Sequence, residues 1–233
     1  DGIRDKLVTG VQTCALPISS ICEITRVPYA SPNVGNAATL LAAADASGMV
    51  PLDLSLCSTC GHLQLADVVS PEIQYSNYRY RTSISLGLPE HFRVLARALA
   101  DSLPLKSGAK VLEIGSNDGT LLLAFKELGF SVCGVEPSPG ASQTAIDRCV
   151  DTIRDFFSAA MARETHAARG SFDAVCANYV FANIESVSDF VDGVRSLLTD
   201  EGVFVFETQY GRDVVERFLI DTIYHEHISY FLI

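Results

Sequence analysis

Acid–base side chains are concentrated near the end of the chain, where residues 221–231 read Asp-Thr-Ile-Tyr-His-Glu-His-Ile-Ser-Tyr-Phe. A histidine titrates near neutral pH, a neighbouring carboxylate can orient it, and a phenol can donate a hydrogen bond to an oxyanion. The zinc-protease pattern His-Glu-x-x-His does not fit, because Glu226 lies between His225 and His227. The segment therefore predicts proton transfer to or from a substrate; the structural alternative is a polar cap on a strand or helix end.

A glycine-bearing turn follows an apolar segment in Val-Leu-Glu-Ile-Gly-Ser-Asn-Asp-Gly-Thr, residues 111–120. Glycine lets the backbone approach a ligand closely, and a helix that begins after the turn offers unpaired N–H groups. The Gly-x-x-x-Gly spacing of Gly115 and Gly119 is not the Gly-x-Gly-x-x-Gly dinucleotide fingerprint, which argues against a nicotinamide oxidoreductase. Glu136 ends the next apolar segment, where a carboxylate can accept both hydroxyls of a ribose. Any parallel α/β protein can carry a glycine turn after its first strand, so the acid supplies the stronger indication of a cofactor.

Short apolar segments alternate with amphipathic ones in the second half of the chain. The predicted strands are 110–114, 131–135, 172–177 and 202–207, and the predicted helices are 90–103, 119–128, 142–147 and 187–198. Such alternation is typical of βαβ units on a parallel sheet, and ligands bind at the carboxyl ends of its strands. The sequence therefore predicts an α/β fold with a Rossmann-like sheet.

Composition excludes several classes of protein. A formal net charge of −11 argues against a nucleic-acid partner, because affinity for phosphates comes largely from Lys and Arg. The sequence has no apolar run near the roughly 20 residues that span a bilayer, so we expect no membrane role. The seven cysteines are scattered rather than arranged as a dense disulfide framework, which indicates a reducing, cytoplasmic location. A small-molecule substrate fits this composition best.

The first residues need separate treatment. Residues 1–18 resemble the in-frame translation of an indexed sequencing adapter, with Lys6 and Leu7 filling the index codons. A signal peptide is the alternative, but the stretch begins with acidic residues and has no continuous apolar core. We therefore interpret this segment as an artefact and expect the natural sequence to begin near Ser19.

The glycine turn and the acid after the second strand resemble the S-adenosylmethionine (SAM) binding motifs of class I methyltransferases. The cofactor residues that this resemblance implies are Glu113, Gly115, Asn117, Asp118, Gly119, Glu136, Asp155, Phe156 and Asn178. Asp155 and Phe156 would lie at the adenine, and Asn178 near the methionine part of the cofactor. For Asp155 and Phe156, a helix start followed by a core residue is an equally simple interpretation.

The segment at residues 224–231 resembles the Tyr-His-Glu-His signature of sugar C-methyltransferases, which methylate a ring carbon of nucleotide-linked keto-deoxysugars. The resemblance also covers residues 51–65 and 78–85. It implies that His227 is the base that forms an enolate, that Tyr224 and Glu226 support it, and that Tyr78 closes the pocket.

One residue departs from that family: Asn183 stands where many members have a histidine, and an amide cannot exchange protons near pH 7. A small-molecule O-methyltransferase therefore stays open as an alternative. A non-catalytic binding module with a methyltransferase fold is a second alternative, although the cofactor motifs are intact.

Cys57 and Cys60 form a Cys-x-x-Cys knuckle, which is half of a structural zinc site. The resembled family has a second such pair upstream, where the adapter-like segment lies here. We therefore expect the native protein to bind a structural zinc and this chain to hold an incomplete site.

The predicted organisation is an artefact at 1–18, a small irregular partial zinc-binding module at 19–75, and a SAM-dependent methyltransferase domain at 76–233. The resemblance implies a further C-terminal domain, so we expect a truncated chain.

Overall fold

The fold is that of a computed structural model, which describes residues 18–22, 27–28, 49–50, 52–75, 78–103 and 105–232. The adapter interpretation of residues 1–18 lies outside the described residues, apart from Ile18. Pro51, at the start of the region that resembles the sugar C-methyltransferases, lies outside them too.

Eleven strands are found in the described residues: β1 (Ile18–Cys22), β2 (Val27–Pro28), β3 (Met49–Val50), β4 (Leu54–Cys57), β5 (Leu63–Leu65), β6 (Lys110–Ile114), β7 (Ser131–Val135), β8 (Thr152–Ile153), β9 (Phe172–Asn178), β10 (Leu198–Glu207) and β11 (Ser229–Tyr230). The α-helices there are α1 (Pro71–Tyr75), α2 (Leu88–Ser102), α3 (Thr120–Glu127), α4 (Pro139–Asp147), α5 (Ala159–Arg169), α6 (Val187–Leu197) and α7 (Gly211–Glu216). Short 3₁₀ turns occupy Thr82–Ile84, Phe181–Asn183 and Ile220–Thr222.

The chain divides into two compact units. One comprises Asp1–Asn77, Tyr179–Ser186 and Glu207–Ile233; the other comprises Tyr78–Asn178 and Val187–Phe206. The C-terminal acid–base segment is therefore grouped with the N-terminal part of the chain rather than with the central sheet.

The second unit contains a five-stranded sheet in the order β10-β9-β6-β7-β8. Strand β6 pairs in parallel with both β7 and β9, and β7 pairs in parallel with β8. Among the strands of this sheet β6 comes first in the chain yet lies in the middle, so the later strands add on both of its sides. The carboxyl ends of β6 and β9 therefore form the switch point at which open α/β sheets bind ligands. The predicted α/β sheet is confirmed, and the glycine turn begins at this switch point.

The core of this unit explains why these segments form their elements. Strand β6 is apolar and buried on both faces, as a central parallel strand should be, with Val111 and Leu112 at 0% exposure. Helix α2 contributes Phe92 and Ala96 from one face, four residues apart and therefore side by side on the helix. Helix α3 adds Phe125, which packs edge-on against Phe130 in the turn that follows the helix.

Some element bounds differ from the sequence prediction. Helix α4 begins at Pro139, earlier than predicted, because proline suits a first helical turn. Helix α5 was absent from the predicted elements, since its buried face consists of Ala159, Met161, Ala162 and Thr165 rather than of large apolar residues. A capping hydrogen bond from the Met161 N–H to Ser158 Oγ marks where this helix starts.

The first unit has a four-stranded sheet in the order β1-β4-β5-β11, with antiparallel pairing throughout. The sequence prediction of an irregular module missed this sheet, because its strands are short and β11 comes from the far end of the chain. Ser229 and Tyr230 of β11 lie opposite Gln64 and Leu63 of β5. The acid–base segment is thereby fixed to the hairpin that carries Cys57.

Among the described residues, no helix combines the length and apolar character needed to cross a membrane.

Candidate functional site

The turn between β6 and α3 is built from backbone conformations that most residues avoid. Gly115, Asn117 and Gly119 all have positive φ, at 67°, 48° and 74°. The N–H groups of Gly115 and Ser116 donate to the Val135 carbonyl at 2.8 and 3.1 Å, which ties the turn to β7. A Cβ on Gly119 would lie 3.0 Å from the Val150 side chain. The predicted glycine turn therefore exists, and its second glycine has both a conformational and a steric reason.

Glu136 lies directly after β7 and is only 4% exposed. Its two carboxylate oxygens accept hydrogen bonds from the Asn117 N–H at 3.0 Å and from the Ser138 N–H at 2.8 Å. Burial raises the pKa of Glu136 to about 7, although these two N–H groups and the charge of Arg81 pull the pKa down. A carboxylate offers about four lone-pair positions, so two stay available for ribose hydroxyls.

Near the carboxyl edge of the sheet, several buried polar atoms have no hydrogen-bond partner among the described residues. They are Glu113 Oε2, Ser116 Oγ and both polar atoms of the Asn178 amide. Buried polar groups in folded proteins are almost always hydrogen-bonded, so such a cluster points to a polar ligand. Burial, and then the charges of Asp118 and Glu136, raise the pKa of Glu113 well above its usual value. These atoms fit a cofactor that brings hydrogen-bond donors, acceptors and positive charge.

Asn117 and Asp118 use their side chains to hold another segment of the same unit. Asn117 Oδ1 accepts from the Thr82 N–H at 3.1 Å, and Asp118 Oδ2 accepts from the Ser83 N–H at 2.9 Å. Asn117 Nδ2 also donates to the Tyr80 carbonyl at 3.2 Å. We call residues 78–85 the strap. Its role at the turn was missed from the sequence, because a contact across 35 positions leaves no local pattern.

Two further residues anchor the strap and the turn. Arg81 Nη1 donates to the carbonyls of Tyr78 at 3.2 Å and Tyr80 at 2.7 Å, so the strap folds around this guanidinium. Arg148 Nη1 donates to the Asp118 carbonyl at 2.8 Å and lies 3.4 Å from Asp118 Oδ1. Tyr78, predicted to close the pocket, is half-buried, and its carbonyl also accepts from Ser138 Oγ at 3.5 Å.

Asp155 and Phe156 follow β8, the strand next to β7. Both are exposed, Phe156 at 37%, and the Asp155 carboxylate accepts from the Phe156 N–H at 2.8 Å. The phenyl ring thus lies at the carboxyl end of the sheet rather than in the core, and aromatic rings can stack on flat groups.

His227, in the first unit, is held in one tautomer. Its Nδ1 lies 2.8 Å from the Thr222 carbonyl, which can only accept, so Nδ1 carries the proton. Nε2 is then an acceptor, and it lies 2.8 Å from the Tyr224 hydroxyl and 2.6 Å from Gln209 Nε2. Burial lowers the pKa of His227 to about 4, so the ring is neutral at pH 7. A neutral imidazole with an available lone pair is a proton acceptor.

The residues around His227 are nearly all buried. His225 is 0% exposed and Glu226 is 3% exposed. The Tyr224 ring lies 4.0 Å from the His227 ring, and Tyr230 donates to the same Thr222 carbonyl at 3.3 Å. The structure thus brings Tyr224 and His227 into direct contact. Gln209 was missed, since a single glutamine two residues after a strand carries no sequence signal.

Asn183 ends the 3₁₀ turn Phe181–Asn183. Its Nδ2 donates to the Tyr75 hydroxyl at 3.0 Å, whereas its buried Oδ1 has no hydrogen-bond partner in the described part of the chain. The side chain thus offers an acceptor and no exchangeable acid, in agreement with the expectation from its residue type.

The Cys57–Cys60 knuckle has the turn expected of a thiolate pair. The Cys57 sulfur accepts from the N–H groups of Thr59 and Cys60, both at 3.4 Å, and these contacts lower the pKa of its thiol. Gly61 follows with φ of 73°, and His62 Nε2 lies 3.2 Å from Ser229 Oγ. Within the described ranges no cluster of three or more metal-ligating side chains is found. The side chain of Cys22 is outside the described part of the chain.

The parallel sheet, its glycine turn and the acid after β7 define an α/β domain of the Rossmann-like class. A family model described as "Methyltransferase domain" matches residues 89–232. The chain belongs to this methyltransferase-domain family.

Two curated relatives support that assignment. The C-methyltransferase NovU of Streptomyces niveus is 34% identical over 189 residues, which are 80% of this chain and 45% of NovU. An uncharacterized methyltransferase of Alkaliphilus oremlandii is 23% identical over 139 residues, 58% of this chain and 62% of the relative. The chain therefore spans less than half of NovU and less than two thirds of the second relative.

Among solved structures, the PH0226 protein of Pyrococcus horikoshii OT3 superposes with a TM-score of 0.50 at 20% identity, covering 60% of this chain and 66% of that one. At this level of identity the likeness concerns the fold, which agrees with the predicted Rossmann-like class.

Proposed function

We propose that this chain is a SAM-dependent methyltransferase of small molecules. The single observation that carries the proposal is the Asn178 amide, which is 7% exposed at the carboxyl end of β9, with neither polar atom hydrogen-bonded to any residue that the structure describes. An amide in that position is expected to bind the polar methionine part of SAM. The residues that would hold the rest are Glu113 and Ser116 for polar groups, Glu136 for the ribose, and Asp155 with Phe156 for the adenine.

When bound, SAM supplies an electrophilic methyl group. The contribution of the chain is electrostatic and geometric: three buried carboxylates, those of Glu113, Asp118 and Glu136, favour a ligand with positive charge. The glycine turn lets the backbone approach the ligand closely, and Ser116 Oγ offers a hydroxyl to it. Gly134 leaves room for that hydroxyl, because a Cβ at Gly134 would lie 2.4 Å from Ser116 Oγ.

We further propose that the acceptor is a ring carbon of a nucleotide-linked keto-deoxysugar, made nucleophilic by His227. The neutral ring, its fixed Nδ1 proton and its accepting Nε2 suit removal of a proton beside a keto group. Buried Glu226, beside it in sequence, and Tyr224 would support the base, and Tyr78 would shield the substrate. Similarity to a protein named C-methyltransferase supports this reading.

Asn183 favours a second candidate, a small-molecule O-methyltransferase. Its amide offers an unpartnered acceptor and cannot relay a proton, so a substrate hydroxyl deprotonated by His227 would fit too. Mapping the methyl group in the product by carbon-13 NMR separates the two, because an O-methyl and a C-methyl carbon resonate far apart.

The proposed cofactor is tested by isothermal titration of the full chain with SAM and with NAD. We expect SAM to bind in the micromolar range and NAD to show no heat of binding, since the glycine spacing is wrong for a dinucleotide. Selective binding of NAD by a protein that melts cooperatively would refute the proposal.

We also propose that the knuckle is half of a structural zinc site in the longer natural protein. Two sulfurs, Cys57 and Cys60, meet half of the four ligands that such a site requires. We therefore expect the chain to lose zinc readily to a chromogenic chelator of moderate affinity. Retention of one equivalent of zinc after dialysis, abolished in Cys60→Ser, would show that the chain completes the site by itself.

A further inference from the structure

Gln209 lies at the reacting atom of the proposed base. It follows β10 by two residues and immediately precedes Tyr210, the N-cap of α7. Its side-chain nitrogen is 2.6 Å from His227 Nε2, and its own carbonyl oxygen has a long contact of 3.4 Å with Thr208 Oγ1. The side chain is half-buried and so can reach a ligand. Its amide orientation follows from the tautomer, because an accepting Nε2 requires a donor opposite.

The lone pair of His227 Nε2 receives two donors, Gln209 Nε2 and the Tyr224 hydroxyl. A ring nitrogen has a single lone pair in the ring plane, so it makes one good hydrogen bond. A substrate that gives up a proton to Nε2 must therefore displace one of the two donors. The Tyr224 ring packs 4.0 Å from the imidazole and lies in the same short segment, three residues away. The glutamine, which comes from a different element, is the donor that can turn aside.

We propose that Gln209 is a catalytic residue whose amide N–H turns from His227 Nε2 to the substrate's carbonyl oxygen as the enolate forms; this rests on the proposed C-methyltransferase function. The carbonyl oxygen is three bonds from the acidic hydrogen, on the neighbouring carbon. A donor that contacts Nε2 is therefore close to the place where negative charge develops. Donors aimed at a developing oxyanion provide a large part of catalysis in such reactions.

The step balances without any further reagent. The Nε2 lone pair takes the proton from the carbon beside the keto group, and the C–H electron pair becomes the enolate double bond. The carbonyl π pair moves to oxygen, where the Gln209 N–H binds it. The enolate carbon then bonds to the SAM methyl carbon, the methyl–sulfur bond breaks with its electron pair on sulfur, and the ketone re-forms. His227 finally releases its proton to solvent.

The test compares the 233-residue wild-type chain with Gln209→Met, which keeps the side-chain length and loses the donor, and with Gln209→Glu, which keeps the size and adds negative charge. His166→Gln, on the exposed side of α5, is the control outside the site. The probe is a thymidine-diphosphate-linked 4-keto-6-deoxyhexose deuterated beside its keto group. Loss of deuterium is followed with S-adenosylhomocysteine present, so that no methyl group can transfer; methyl transfer is then measured with SAM.

Both Gln209 variants should lose deuterium and transfer methyl about 10²- to 10³-fold more slowly, with KM for the sugar changed less than about threefold. His166→Gln should match the wild type, and unchanged SAM affinity would show that the variants fold. A wild-type rate in Gln209→Met, or a change in KM alone, would overturn this inference while leaving the proposed function intact. A wild-type chain that binds SAM but neither exchanges deuterium nor transfers methyl would overturn the proposed C-methylation, and the role of Gln209 with it.

Discussion

Replacing His227 with glutamine should slow methyl transfer by about 10²- to 10⁴-fold while leaving SAM affinity within about twofold. The side chain provides the one lone pair that the structure fixes as an acceptor beside Tyr224, and glutamine is neutral but cannot take the proton. Rates at saturating SAM and sugar nucleotide measure the effect. His166→Gln on the exposed side of α5 is the matched control. Loss of less than threefold in His227→Gln would refute the assignment of the base.

The pH dependence of the wild-type rate tests the role of His227 in a second way. Burial lowers the pKa of His227 to about 4, so its basic form is present at all pH values well above 4. With SAM saturating, activity should therefore stay level from pH 8 to about pH 5 and then decline as the ring is protonated. An exposed histidine would instead halve the rate near pH 6.5.

Protonation of His227 also lowers the stability of the fold. The unfolded chain binds the proton from pH 6.5 downward, so the free energy of unfolding should fall by about 3 kcal/mol between pH 6.5 and pH 4.

Replacing Glu136 with alanine should weaken SAM binding by about ten- to a hundredfold, or about 1 to 3 kcal/mol. The variant loses the carboxylate proposed to accept the ribose hydroxyls, and it leaves the N–H groups of Asn117 and Ser138 without their acceptor. Isothermal titration measures the affinity. Glu127→Gln at the exposed end of α3 removes a carboxylate outside the site and should bind SAM as the wild type does. Equal affinities in wild type and Glu136→Ala would exclude the ribose role.

Glu136 should also make SAM affinity depend on pH. Its pKa is raised to about 7, so the accepting carboxylate is depleted as pH falls from 8 to 6. We therefore expect the affinity of the wild-type chain to decrease severalfold over that range. Glu136→Gln, which cannot titrate, should bind weakly at both pH values. A wild-type affinity that rises toward acid pH would show that a different group controls binding.

The sequence predicted the central sheet well because two local signals agree there. Buried parallel strands are mainly apolar, as β6 and β9 are, and polar residues lie at or directly after their carboxyl ends. Where small residues form the buried face, as in α5, the apolar periodicity is weak and the prediction failed. The prediction succeeded where the buried residues are large and apolar.

Site residues at strand ends could be predicted from the sequence, whereas those that depend on contacts between distant segments could not. Glu113 and Asn178 lie near the carboxyl ends of β6 and β9, and Glu136 directly follows β7, so a rule about sheet topology assigns all three to one edge of the sheet. Gln209 and the strap come from pairings between distant segments, which depend on the tertiary fold and leave no periodic trace. Asn117 and Asp118 were assigned to the cofactor by resemblance; the structure adds that their side chains bind backbone N–H groups of the strap.

The strap determines where this domain can be cut. The family match begins at residue 89, but Thr82 and Ser83 donate the N–H groups that Asn117 and Asp118 accept at 7% and 0% exposure. A fragment that starts at the family boundary would leave a buried amide oxygen and a buried carboxylate oxygen without these donors. An engineer who transplants the glycine turn, or who expresses the domain alone, should therefore carry the chain from Tyr78 onward.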